Sequence, residues 1–165
     1  MLAPLALAAI AWSTPALPVA NFSGTITVQD YALDPVGLGF AIEVRNVGST
    51  VPLQTANVTL GVGGSYSFSL TVPAGTYDVA AKAPNRWMRK VVSSVVITGS
   101  GGSANFTVPN GDVDGDNVVD MLDYSLVNFY LGSTYSIPAD LDGDEEVSIA
   151  DFAIVASQLF IQGDP

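Results

Sequence analysis

Cysteine and histidine are both absent from the 165 residues. Their absence removes disulfides, thiolate nucleophiles, the usual zinc ligands and the commonest general base. Positive charge is scarce as well, with five Lys or Arg against sixteen Asp or Glu and a formal net charge of −11. The deficit is local: residues 111–165 carry twelve acids and no base, whereas residues 1–110 hold the other four acids and all five bases. That field repels phosphate, and the single basic cluster, Lys82, Arg86, Arg89 and Lys90, is too small to offset it, which argues against a nucleic-acid partner. Outside the acidic segment the only carboxylates are Asp30, Asp34, Glu43 and Asp78, which leaves no pair of the kind glycoside hydrolysis requires. The expectation is a protein without catalytic activity.

No apolar run is long enough to span a bilayer. Residues 1–20, MLAPLALAAIAWSTPALPVA, combine a short apolar stretch with small residues and read as a secretory signal peptide cleaved after Ala16 or Ala20, although no Lys or Arg precedes the run. A buried strand or short core helix is the alternative. The signal reading makes the mature protein soluble and extracellular.

From Phe22 to Val108 short alternating runs are punctuated by Gly, Pro, Asn and Ser. Tyr66, Phe68, Leu70 and Val72 share one face, with Ser65, Ser67, Ser69 and Thr71 on the other, and the same period of two recurs along the stretch. Seven or eight such strands predict two packed antiparallel sheets, an all-β immunoglobulin-like sandwich over residues 21–109. Within it, GSYSFSLTVPAGTYDVA at residues 64–80 resembles the carboxypeptidase-regulatory-like, transthyretin-type sandwiches, in which a strand, a Pro-Ala-Gly turn and a Gly-Thr-Tyr strand form a hairpin. That resemblance implies a passive spacer or a binding platform. A carbohydrate-binding role would need Trp87, Tyr66 and Tyr77 on an exposed face, and the alternation turns Tyr66 and Tyr77 inward. Pro109-Asn110-Gly111 marks a boundary without a flexible linker, so the second unit, residues 110–165, is expected to sit against the first.

The acids of that second unit follow a repeat. Asp112, Asp114, Gly115, Asp116, Val119 and Asp123 recur as Asp140, Asp142, Gly143, Asp144, Val147 and Asp151, and Leu126, Val127 and Leu131 fall on Ile154, Val155 and Leu159. A single offset for nine positions marks a duplicated unit. Each copy opens with a 12-residue loop of the EF-hand kind, which surrounds Ca²⁺ with oxygen ligands from alternate positions. In the first loop these are Asp112, Asp114, Asp116, the carbonyl of Val118, and Asp123, with Asp120 at position 9. In the second they are Asp140, Asp142, Asp144, the carbonyl of Glu146, and Asp151, with Ser148 at position 9. Carboxylates so crowded repel one another without a dication, which predicts two bound calcium ions and folding coupled to binding. Position 6, where glycine normally makes the sharp turn, is Asn117 and Glu145. A glutamate in left-handed backbone costs about 1 kcal/mol or more, so the second site is expected to be the weaker. Val119 and Val147, at position 8, are expected to pair between the loops.

Prolines keep the stretches before each loop from forming an entering helix, so each unit is loop then helix, with helices near Met121 to Leu131 and Ile149 to Phe160. The tandem GDVDGDNVVDMLDYSLVNFYLGS and ADLDGDEEVSIADFAIVASQLFI resembles a type I dockerin. The resemblance implies a small α-helical domain of paired calcium loops and helices, a cohesin-like protein partner, an extracellular bacterial setting and a context of polysaccharide breakdown. It also implies partner contacts at loop positions 10 and 11, here Met121 and Leu122, and Ile149 and Ala150. These apolar pairs differ between the repeats, unlike the matched pairs of a symmetric dockerin. The basic cluster around Trp87 is open to three readings: a carbohydrate or polyanion site, a guarded strand edge, or a face turned toward the acidic unit.

Overall fold

The computed structural model describes residues 20–84, 86–134 and 138–165. The signal-peptide expectation falls almost wholly outside the described residues. Alternation of apolar and small polar residues produces the strands β1 (Asn21–Val28), β2 (Gly39–Asn46), β3 (Pro52–Thr59), β4 (Ser65–Ser69), β5 (Gly75–Lys82) and β7 (Lys90–Ile97), with the short strands β6 (Arg86–Trp87), β8 (Gly101–Ser103), β9 (Phe106–Val108) and β10 (Asn110–Asp112). One sheet has the order β4-β1-β8, with β9 also pairing β1, and the facing sheet runs β3-β2-β5-β7. Phe22, Ile26, Tyr66 and Phe106 from the first sheet meet Phe40, Ile42, Val44, Tyr77, Val79 and Ile97 from the second in one buried cluster. Burial of that apolar surface is the main force holding the sheets together.

Two expectations about this half need correction. The sheets are not purely antiparallel, because β1 pairs in parallel with both β8 and β9. Nor do β4 and β5 form a hairpin: β4 pairs with β1, while β5 pairs with β2 and β7. The Pro-Ala-Gly segment carries the chain from one sheet to the other. This is how Tyr66 and Tyr77, on consecutive strands, enter the same core from opposite sides.

The acidic half folds around a second cluster made by Val113, Val119, Val127, Ala139, Leu141, Val147, Ile154 and Val155. Its helices are α1 (Met121–Tyr130) and α2 (Ile149–Gln158). Each starts with a capping box: Asp120 and Ser148 are the N-caps, and Asp123 and Asp151 return a carboxylate to the cap amide, so orphan amides of the first turn are satisfied reciprocally. The expected pairing of Val119 with Val147 is not formed. Val119 instead exchanges backbone hydrogen bonds with Phe160 and Ile161, at 2.7 and 2.8 Å, and Val147 does so with Gly132 and Ser133, at 2.8 and 2.9 Å. Each loop is thus tied to the segment that follows the other loop's helix. A two-fold arrangement of loop-helix units brings those segments, rather than the loops' equivalent residues, side by side.

The halves are joined by more than the connecting chain. Strand β10 pairs antiparallel with β6. Met88, contributed by the sandwich half, is fully buried in the second cluster. The Asn110 side-chain amide donates to the carbonyls of Gln29, at 3.1 Å, and Leu141, at 2.8 Å. Asp164 and Pro165 return to the sandwich: the Asp164 amide donates to the Arg89 carbonyl, its carboxylate accepts from the Val91 amide and pairs with Lys90, and the Arg45 guanidinium donates to the Pro165 carbonyl.

Candidate functional site

In both loops the aspartates at positions 1, 3 and 5 converge. Asp112, Asp114 and Asp116 place carboxylate oxygens within 4.8 Å of one another, as do Asp140, Asp142 and Asp144. Each loop folds this way because its own carboxylates accept its own amides. Asp123 Oδ1 accepts from Val113 and Asp114, at 2.7 and 3.2 Å, and Asp151 Oδ1 accepts from Leu141 and Asp142, at 2.6 and 3.2 Å. The amides of Val118 and Glu146 donate to Asp116 and Asp144, at 2.8 and 2.9 Å. The twelfth position therefore staples the start of each loop to its end beside the carboxylate cluster, while Asp120 and Ser148 at position 9 cap the helices.

Repetition breaks at position 1. Asp112 Oδ2 accepts from the Asn117 amide at 3.1 Å, whereas Asp140 Oδ1 accepts from the Gly143 amide at 2.9 Å. Position 6 is left-handed in both loops, with φ of 76° at Asn117 and 71° at Glu145, as the turn requires. Asn117 serves the junction too: its Oδ1 accepts from the Arg89 amide at 2.6 Å and its Nδ2 donates to the Asp164 carbonyl at 3.1 Å. Gly143 lies against Tyr31, so close that a Cβ there would sit 2.2 Å from the ring, and the Ala32 amide donates to the Asp142 carbonyl at 2.9 Å.

The donor set fits a hard dication. It is all oxygen, and Asp112 Oδ1 is buried without a hydrogen-bond partner, a costly condition for a carboxylate that a cation relieves. Burial pushes the carboxyls of Asp140 and Asp142 above the ordinary range, and neighbouring aspartates push the same way, against loop amides and, at Asp140, Arg86. Asp123 is raised for the same first reason.

The loops' far ends open onto an apolar surface. Met121, Leu122 and Ile149 are exposed large hydrophobics, and Ala150 beside Ile149 is exposed as well. Ile149 is 79% exposed, Phe129 78% and Phe160 76%. The sandwich meets the loops, so its contacts leave these side chains uncovered. Its own aromatics offer no platform: Trp87 is buried, stacked on Phe40 and edge-on to Tyr31. Tyr66 and Tyr77 are buried too, donating to the carbonyls of Ala104 and Pro73. The basic cluster faces the acidic unit, through Lys82 with Asp112 and Lys90 with Asp164.

Residues 110–160 match the family model of the dockerin type I domain. This segment is a dockerin domain. Dockerins are calcium-binding, protein-docking modules and not catalysts. Two solved structures resemble both the dockerin and the sandwich before it. One is the N-terminal interface mutant of the type II cohesin–X-dockerin complex from Acetivibrio cellulolyticus, 21% identical with a TM-score of 0.68, the match covering 87% of this chain and 97% of that one. The other is the C-terminal interface mutant of the same complex, 20% identical with the same TM-score and coverage. Identity this low shows the fold alone, and its extent shows that the sandwich and the dockerin share that fold together. No curated protein matches the chain.

The sequence pointed to every aspartate of the two clusters and to the basic cluster. It did not reveal Met88, Tyr31 or the Asn117 side chain as parts of the junction, nor Asp164, which lies beyond the last helix in a stretch without periodicity.

Proposed function

We propose that this chain is an extracellular, non-catalytic two-domain protein, divided near residue 110, whose dockerin domain docks a cohesin-like protein in calcium while the sandwich presents or spaces it. Two calcium ions are held by Asp112, Asp114, Asp116, Asp123 and the Val118 carbonyl in the first loop, and by Asp140, Asp142, Asp144, Asp151 and the Glu146 carbonyl in the second. Calcium there neutralises the crowded carboxylates and fixes the helix starts. The observation that carries the docking assignment is the exposed apolar surface at Met121, Leu122 and Ile149, on the first turns that the two loops orient. Exposed apolar side chains grouped beside a rigid framework mark an interaction surface. In a polysaccharide-degrading assembly such a module would attach its chain to a scaffold or cell surface.

The test is calorimetric titration of the full chain with type I and type II cohesin domains, in calcium and in chelator. Binding to a cohesin in calcium, lost on chelation and in Leu122→Asp/Ile149→Asp with melting unchanged, supports the assignment. A folded, calcium-loaded chain that binds neither type refutes cohesin docking.

A further inference from the structure

The loops share one hydrogen-bonding scheme everywhere except at position 1, and it is there that the sandwich inserts positive charge. Lys82, at the end of β5, places Nζ 2.5 Å from Asp112 Oδ2. The lysine also donates to the Trp87 carbonyl at 3.1 Å, so it is held on two sides. Asp112 is 0% exposed, and its other oxygen, Oδ1, has no partner. The lysine thus occupies one oxygen and leaves the second for another cation. Arg86, on β6, is 8% exposed. Burial disfavours its charge, which Asp140, position 1 of the other loop, then Tyr31 and Asp151 favour in that order.

No base of the dockerin itself could do this, because residues 111–165 contain none and all five bases of the chain precede residue 91. A buried carboxylate stripped of its partner is strongly destabilising, and in the absence of calcium each loop needs some countercharge to stay closed. We propose that Lys82 is a built-in counter-cation that holds the first dockerin loop closed when calcium is absent, lowering the module's dependence on calcium for folding. This inference rests on the calcium reading above. Its consequence is a trade: the same charge that steadies the calcium-free loop opposes the incoming dication, so the sandwich weakens calcium binding at the first loop while preserving the fold.

The full chain, wild type and Lys82→Met, is melted by far-UV circular dichroism in chelator and in saturating calcium, with calcium uptake measured by calorimetry. Lys82→Met is expected to lower the melting temperature much more without calcium than with it, and to tighten calcium binding several-fold. Lys82→Arg, which keeps the charge, is expected to retain the calcium-free stability. Lys82→Gln repeats the test with a neutral polar side chain should Lys82→Met fail to fold. Equal losses with and without calcium would make Lys82 a mere packing contact and overturn the proposal, as would looser calcium binding with an unchanged calcium-free melt. A wild-type chain that takes up no calcium refutes the calcium reading instead, and the calcium-free melts tell that failure apart from failure of the counter-cation proposal.

Discussion

Truncating Met88 to alanine tests whether the two halves are one folding unit. Met88 belongs to the sandwich half, yet its side chain is fully buried in the dockerin cluster beside residues such as Val119, Val127 and Leu141. Its amide is anchored to the Pro109 carbonyl at 2.9 Å, so the backbone cannot retreat to let the cavity collapse. Buried Met→Ala changes cost about 2–5 kcal/mol, the transfer of the lost atoms plus the cavity left behind, and anchoring places this one at about 3 kcal/mol. For a cooperative unit of this size each kcal/mol lowers the melting temperature by about 2–4 °C, giving a drop of about 6–12 °C. The assay is thermal unfolding of the calcium-saturated full chain. Far-UV circular dichroism follows α1 and α2, and the near-UV band follows the packed aromatics of the sandwich. Both signals are expected to move together. A fall of less than about 2 °C would refute the claim that the sandwich side of the junction completes the dockerin core, and a shift of the helical signal alone would refute a single folding unit.

Position 6 gives opposite signs in the two repeats. Glu145→Gly removes left-handed strain of about 1–2 kcal/mol against about 0.4–1 kcal/mol of added freedom in the unfolded chain, so it should stabilise the protein slightly and tighten calcium binding at the second loop. Asn117→Gly should destabilise by about 1–3 kcal/mol in chemical unfolding, because the Arg89 amide loses its acceptor. Calorimetry on the calcium-stripped full chain should count two ions, and Asp140→Ala should leave one; two ions in that variant would move the second site elsewhere. Asp78, whose carboxylate accepts from the Gly48 and Ser94 amides at 2.8 and 2.9 Å, has its pKa held below the ordinary value chiefly by those two bonds. A depressed carboxyl stabilises the fold above its unfolded pKa of about 3.9, and that contribution disappears as pH falls through the lower folded value. The stability gap between wild type and Asp78→Ala should therefore be constant near neutrality and close in strong acid; a gap that persists there would show that the carboxylate's charge is not what matters.

Period-two alternation identified the inward faces of most strands, because a half-buried strand must show it. It carries no information on which strands are neighbours, and so gave no sign that β1 has parallel partners or that β4 and β5 lie in different sheets. In the dockerin, the spacing of Asp112 to Asp123 and Asp140 to Asp151 was readable because a chain wrapping an ion must present oxygens at fixed intervals. The cross-connection of Val119 with Phe160 and Ile161 was not, since an internal repeat shows which residues are equivalent and not which touch. Met88 lies between a basic residue and a tryptophan, where nothing in its surroundings in the chain sets it apart from the sandwich's own apolar side chains. Lys82 stood out only as a charge, and its target, Asp112, became visible once β10 was seen to lie along β6.

The crossed backbone pairing also dictates an order of events during synthesis. The first loop is made before the second, yet its Val119 finds its hydrogen-bond partners only when Phe160 and Ile161 have followed. The second loop, by contrast, finds Gly132 and Ser133 already present. The later-made half of the module can therefore organise on a waiting scaffold, and the earlier-made half closes last. A protease cut shortly after α2 would accordingly injure the loop farther from it in sequence, and a nascent chain stalled before residue 160 would carry its first loop open.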